Sequence, residues 1–311
     1  MQNNSKKEHN ILEVSLSGVT LKNPIIPASG TFGFGYEMSQ FYDLNILGGI
    51  SLKGTTKEAR YGNELPRIAE CTSGMLNAIG LQNPGVRAVV EEEISKLREC
   101  YRGPIIANIS GFSVREYAEV TECFDDSDVD ILEINISCPN AKDGGMVFGT
   151  STKSAADVTK AVRAVTKKPI YLKLTPNVSD VVSISKVCED EGADGLTLIN
   201  TLLGMRIEPK TAKPIVSIGA AGFSGPAIKP VAVRIVYQVA RELSIPIIGV
   251  GGLTTADDVI EMLSAGATAV QIGTANLINP YACKEIIDEL PSRLIEYDIA
   301  SVKDCIGRSF V

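Results

Sequence analysis

Short apolar, β-branched runs recur along the chain at residues 24–28, 47–53, 104–109, 130–136, 169–174, 195–200, 246–250 and 269–272. They are largely unbroken rather than alternating, which is how strands covered on both faces read. Amphipathic stretches at 86–101, 114–124, 154–167, 179–191, 229–243, 255–265 and 281–295 lie between most of them and predict helices. The punctuation agrees. Thr254 or Thr255 can cap the 255–265 helix, Asp257 and Asp258 fall in its first turn, and Gly266 ends it. Strands alternating with helices predict a parallel α/β protein, either a (β/α)8 TIM barrel or a doubly wound sheet.

The doubly wound alternative calls for a dinucleotide fingerprint. Gly30-x-x-Gly33-x-Gly35 and Gly249-x-Gly251-Gly252 do not match G-x-G-x-x-G, and no other glycine cluster does. The barrel is therefore the expected fold. With no linker, low-complexity tract or repeat, residues 1–311 are expected to form one domain, with 1–10 as a polar N-terminal tail. Two connections, 54–83 and 201–229, are far longer than usual, as lids and binding loops often are.

In a barrel the chemistry sits at the C-terminal ends of the strands. Those exits carry Ala28-Ser29-Gly30, Lys53-Gly54, Asn108, Asn135 with Cys138, Lys173, Asn200-Thr201, Gly251-Gly252 and Gly273-Thr274. One lysine at such a place is often a snorkelling surface residue. Two lysines interleaved with asparagines read as one polar face for one ligand. Cys138 follows the 130–136 run just before Pro139, which cannot continue a ladder. A thiol there reads as a base or nucleophile, and its plainer alternative is a small buried hydrophobe. The glycines after the seventh and eighth runs suit phosphate, because their backbone N–H groups can approach an anion at a helix N-terminus. Lys173 beside a phosphate site also fits a Schiff-base lyase, although that chemistry leaves Cys138 and the asparagines without a role.

Composition narrows the classes. Hydrophobic residues make up 44% and charged residues 22%, as in ordinary globular proteins. A net charge of −7 argues against sequence-independent nucleic-acid binding. The seven cysteines (71, 100, 123, 138, 188, 283 and 305) include no C-x-x-C pair. They match no zinc or iron–sulfur pattern, so no metal is expected, and scattered thiols suit a reducing cytoplasm. The single histidine, His9, lies in the polar tail, which excludes Ser-His-Asp triads and histidine-ligated metals. The start of the chain lacks the apolar stretch of a signal peptide, and no run approaches the length of a membrane span.

With these residues in place, the chain resembles the dihydroorotate dehydrogenases, FMN-dependent barrel enzymes of pyrimidine biosynthesis, over about residues 16–274. The motifs that carry the likeness are Ala28-Ser29-Gly30-Thr31-Phe32-Gly33, Lys53-Gly54-Thr55, Asn77-Ala78-Ile79-Gly80-Leu81-Gln82-Asn83-Pro84-Gly85, Asn135-Ile136-Ser137-Cys138-Pro139-Asn140 and the two glycine exits. Cys138 matches class 1, since the membrane-bound class 2 enzymes carry serine there. The stretch Leu76 to Gly85 looks like the NAD-linked branch (class 1B), with the fumarate-linked homodimer as the alternative within class 1. The chain departs from the expected pattern at Ser51-Leu52, where a threonine-like residue would precede Lys53.

The resemblance implies one FMN per chain. It also implies a smaller partner subunit carrying FAD and an iron–sulfur cluster, in a heterotetramer built on a homodimer, with NAD⁺ as the final acceptor. It makes Cys138 the base that takes the C5 proton of dihydroorotate. It assigns substrate contacts to Lys53, Asn77, Ala78, Ile79, Gly80, Leu81, Asn135, Asn140, Asn200 and Thr201. It assigns FMN contacts to Ser29, Lys53, Gly54, Asn108, Asn135, Lys173, Ile199, Gly225, Gly251, Gly252, Gly273 and Thr274. The Ala141-Lys142-Asp143-Gly144-Gly145 segment is expected to gate the site. A subunit that holds flavin without catalysing anything is the remaining alternative.

Overall fold

Eight parallel strands form the barrel: Ile25–Pro27, Ile50–Ser51, Ile105–Ile109, Ile131–Asn135, Ile170–Leu174, Gly195–Leu198, Ile247–Val250 and Ala269–Ile272. The computed structural model describes residues 10–137 and 148–310. His9, Cys138, Asn140 and the 141–145 segment lie outside the described residues. Each of the eight apolar runs supplies one strand, and neighbours in sequence are neighbours in space, with the eighth strand pairing with the first. The ring is drawn together between the first two strands, where Gly48 N donates to Ile25 O (3.0 Å). A Cβ at Gly48 would lie 2.0 Å from Asn23 O, so only glycine allows that approach.

The helices fall where the periodicity puts them. Ser113, Ser151, Asp180 and Thr255 each cap a helix through a side-chain oxygen that accepts a first-turn N–H. Thr255 and Asp258 form a reciprocal capping box on the Ala256–Ser264 helix. Gly266, at φ 110, follows that helix as anticipated. The first predicted helix is interrupted, with a π turn at Val89–Glu93 between Val86–Ala88 and Ile94–Cys100. No helix among the described residues is long and apolar enough to cross a membrane.

Among the elements that the periodicity does not show, two close the ends of the barrel. At its N-terminal end, strands Val14–Leu16 and Val19–Leu21 form a hairpin whose turn residues Ser17 and Gly18 both have positive φ (50 and 91). The Ser17 hydroxyl pairs with Tyr171 OH (2.9 Å) and donates to Asp194 O (2.8 Å), which pins the hairpin to the fifth and sixth strands. At the opposite end, the two long connections pair with each other. Strands Leu202–Gly204, Ala221–Ser224, Gly74–Asn77 and Ile68–Cys71 make one antiparallel sheet in that order. A small core of Leu76, Ala78, Val216 and Ala221 packs against it, separate from the main barrel core.

Candidate functional site

The C-terminal strand ends and the four-stranded sheet enclose a cleft of about 1350 Å³ including its open mouth. The barrel side brings together Ser29, Lys53, Asn135, Lys173, Ile199 and Asn200, with Thr201 beside them. The glycine exits add Gly251, Gly252, Gly273 and Thr274. The sheet side and its loops contribute Asn77, Ile79, Gly80, Leu81 and Gly225. These positions come from strands and loops spread over most of the chain, so the fold alone assembles them.

Three sequence-predicted residues lie elsewhere. Ala78, directly after the Gly74–Asn77 strand, is fully buried in the small core behind the sheet, on the side away from Asn77 and Ile79, which face the cleft, as alternation in extended chain requires. Gly54 and Asn108 sit just below the floor of the cleft. A Cβ at Gly54 would come 2.9 Å from Asn108 Oδ1, so glycine there leaves room for the asparagine. Asn108 Nδ2 donates to Glu133 Oε2 (2.5 Å), while its Oδ1 is buried without a hydrogen-bond partner among the described residues.

The amides at the fourth and sixth exits form one cluster. Asn135 Oδ1 accepts from Ser137 Oγ (2.7 Å) and from Asn200 Nδ2 (3.2 Å), and Asn200 Nδ2 also donates to Ser137 Oγ (2.5 Å). Thr201 N donates to Asn200 Oδ1 (2.8 Å), which fixes the amide's orientation. Across the cleft, Asn77 Nδ2 donates to Gly222 O (3.4 Å), and the Thr274 and Ser224 hydroxyls pair at 2.8 Å.

Charge is the clearest signature of the cleft. Lys53 and Lys173 line it, and no Asp or Glu does among the described residues, although the whole chain carries −7. Lys173 is nearly buried, with its Nζ donating to Gln271 Oε1 (3.0 Å) and lying 3.4 Å from Glu133 Oε2. Glu133 and Gln271 belong to no motif in the sequence. Their only signal was a charged or amide side chain inside an apolar strand.

The glycine-rich end of the cleft is built from backbone. Gly251, Gly252 and Gly225 have φ of 132, 78 and 110, values open to glycine but strained for other residues. A Cβ at Gly252 would strike Lys229 N (2.8 Å) and Gly225 O (2.9 Å). By contrast, a Cβ at Gly30 would meet only Lys53 Nζ (3.7 Å), and one at Gly273 only Ala28 Cβ (3.8 Å). Side chains at these two positions would project into the cleft, so their absence leaves the space a ligand needs. Beneath, Lys229 Nζ pairs with Asp258 Oδ1 (2.6 Å) and Glu261 Oε2 (2.7 Å), which ties the loop before the Lys229–Ala240 helix to the next helix.

Known proteins match the chain over nearly its whole length. The family profile described as dihydroorotate dehydrogenase covers residues 11–294. A protein of Geobacillus kaustophilus named dihydroorotate dehydrogenase B (NAD(+)), catalytic subunit, is 54% identical over 302 residues, covering 97% of this chain and 96% of its own. Proteins of the same name from Bacillus pumilus (56% identical; 96% and 97% covered) and Anoxybacillus flavithermus (55%; 97% and 96%) are similar to it in the same way.

Proposed function

The chain belongs to the dihydroorotate dehydrogenase family, and we propose how its cleft carries out the oxidation of dihydroorotate to orotate in pyrimidine biosynthesis. The observation that carries the reading is the cation-only lining of the cleft, which suits a carboxylate substrate at one end and a phosphate-bearing cofactor at the other.

The residues present fit FMN. Gly251, Gly252, Gly225, Gly273 and Thr274 offer backbone and hydroxyl donors for its phosphate, and Ser29 and Ile199 line the path from there into the barrel. Just below them, Asn108 Oδ1 is buried without a partner among the described residues, and the missing side chain of Gly54 leaves open the space through which it would accept from a ring N–H. Lys53, Asn135 and Lys173 line the same part of the cleft and would hold the ring's polar edge and the substrate. FMN, when bound, supplies the acceptor for the hydrogen that leaves dihydroorotate C6 with its electron pair.

The chain's own residues do the rest. Lys53 pairs with the substrate carboxylate. Asn77, Asn135, Asn200 and Thr201, with Asn140, provide both donors and acceptors for a pyrimidine ring whose edge presents both. Ile79, Gly80 and Leu81 cover the substrate from the sheet side and help exclude water. Cys138, which follows Ser137 directly in the sequence, takes the C5 proton on its sulfur, and the C5–H pair becomes the new C5=C6 bond. A free thiol titrates at about 8.5, near enough to neutral for a cationic setting to make it a working base.

The relatives' shared name, catalytic subunit of an NAD(+) enzyme, supports a partner subunit. We assign that partner the FAD and an iron–sulfur cluster, in a heterotetramer built on a homodimer, with residues 1–311 as one FMN-binding domain. The six described cysteines are all free thiols, which supports a cytoplasmic site.

The test is anaerobic mixing of purified protein with dihydroorotate while the flavin absorbance is followed. Bleaching is expected, and Cys138→Ser is expected to slow it by about 10²- to 10⁴-fold, the usual weight of a general base. A yellow protein that does not bleach would refute the substrate. Full-speed bleaching in Cys138→Ser would refute the role of the cysteine.

A further inference from the structure

Glu133 is fully buried inside the barrel. A buried carboxylate carries a large desolvation cost and is often no better for stability than apolar packing. Its surroundings are built for its charge. Oε1 accepts from Thr197 Oγ1 (2.9 Å) and Gln271 Nε2 (2.6 Å). Oε2 accepts from Asn108 Nδ2 (2.5 Å) and Ser51 Oγ (3.5 Å) and faces Lys173 Nζ at 3.4 Å. These five partners come from five different barrel strands. Of the five, Lys173 alone lines the cleft, and its Nζ also donates to Gln271 Oε1 (3.0 Å), the side chain that binds Glu133. Glu133 therefore reaches the cleft electrostatically while standing one layer beneath it.

A lysine beside a flavin favours the reduced, more negative form and so holds electrons. In an enzyme whose electrons pass on to NAD⁺, an unbalanced cation would hold them too tightly. We propose that Glu133 is the counter-ion that keeps the flavin's reduction potential low by balancing Lys173 across the floor of the cleft. This rests on the reading of the cleft as an FMN site. Glu133 does not line the cleft, and it acts through Lys173 as a positioning and charge-balancing residue.

The experiment measures the midpoint potential of FMN in the purified, flavin-loaded protein, against reference dyes and without substrate. Glu133→Gln keeps the shape and removes the charge. It is expected to raise the preference for reduced flavin about tenfold, equivalent to a positive shift of about 30 mV for a two-electron couple. Lys173→Met is expected to shift the potential the other way. The double variant Glu133→Gln/Lys173→Met removes both charges and is expected between the two singles. It also covers the case in which Glu133→Gln does not fold, because neutralising both partners leaves no unpaired buried charge. The comparison is then with Lys173→Met, which the double variant must exceed. Lower thermal stability with an unmoved midpoint would make Glu133 purely structural and overturn the proposal. Wild-type protein that takes up no FMN would instead overturn the flavin reading, and the proposal with it.

Discussion

Asn200 Nδ2 stands 3.2 Å from Asn135 Oδ1 and 2.5 Å from Ser137 Oγ, binding the exit of the sixth barrel strand to that of the fourth. One amide thus bridges the fourth and sixth strand exits, and Thr201 N holds its other end. Asn200→Ala removes a donor from both neighbours and leaves Thr201 N without its acceptor, a loss of about 1–3 kcal/mol. The expected outcome is a fall in kcat/KM for dihydroorotate of about 10- to 100-fold, with the flavin-to-protein ratio unchanged. Steady-state kinetics with a flavin titration checks both halves.

Gly225 has a backbone conformation foreign to other residues (φ 110), and a Cβ there would lie 2.6 Å from Gly74 Cα. The loop closes against the Gly74–Asn77 strand at this point, so there is no flexible atom to move aside. Gly225→Ala is expected to cost at least about 1–3 kcal/mol of stability and to weaken FMN binding, since the strain falls on the loop itself. Thermal unfolding with and without added FMN tests this. A variant as stable as wild type in both states would refute it.

The Asp258 carboxyl links folding to pH. Burial by itself would raise its pKa, but hydrogen bonds from Lys229 Nζ and from Thr254 N outweigh burial and hold it below the usual carboxylate range. A carboxyl depressed in the folded state stabilises the protein above its unfolded value of about 3.9, and that stability is lost as pH falls through the folded value. The wild-type Tm is therefore expected to drop on acidification below about pH 4. Asp258→Asn should begin about 1 kcal/mol less stable at neutral pH, having lost its capping charge, and should fall less steeply. Unfolding curves from pH 7 to 3 decide the sign.

Thiol reactivity should divide along burial. Burial pushes the Cys188 thiol up to about 12 and Cys305 up to about 11, and it raises Cys283 as well. Cys123 is exposed. In a Cys138→Ser background at pH 8, a disulfide reagent is expected to modify Cys123 quickly. It should reach Cys188, Cys283 and Cys305 only after denaturant is added, because the thiolate is the reactive form. Peptide mapping of the labelled sites gives the result directly.

The sequence by itself determined the barrel and the polar character of its mouth. Each barrel strand lies in a mostly apolar run, and four of the helices carry a side-chain cap within a residue or two of their periodic stretch. Such local signals survive without knowledge of partners, as Thr255 with Asp258 and the 104–109 run both show. The motifs around Lys53, Asn77 and Asn135 carried the family in the same local way. Only the tertiary structure decided how the two long connections meet. Leu76 pairs with Phe223 across a span of chain that no periodicity crosses, and three- or four-residue strands are too short to show alternation. Only the tertiary structure, too, placed Ala78 behind the sheet rather than in the cleft, and turned Glu133 from one charge in an apolar run into a partner of Lys173. What a buried charge does depends on which side chains surround it. Those around Glu133 come from five other strands, brought together only when the barrel closes.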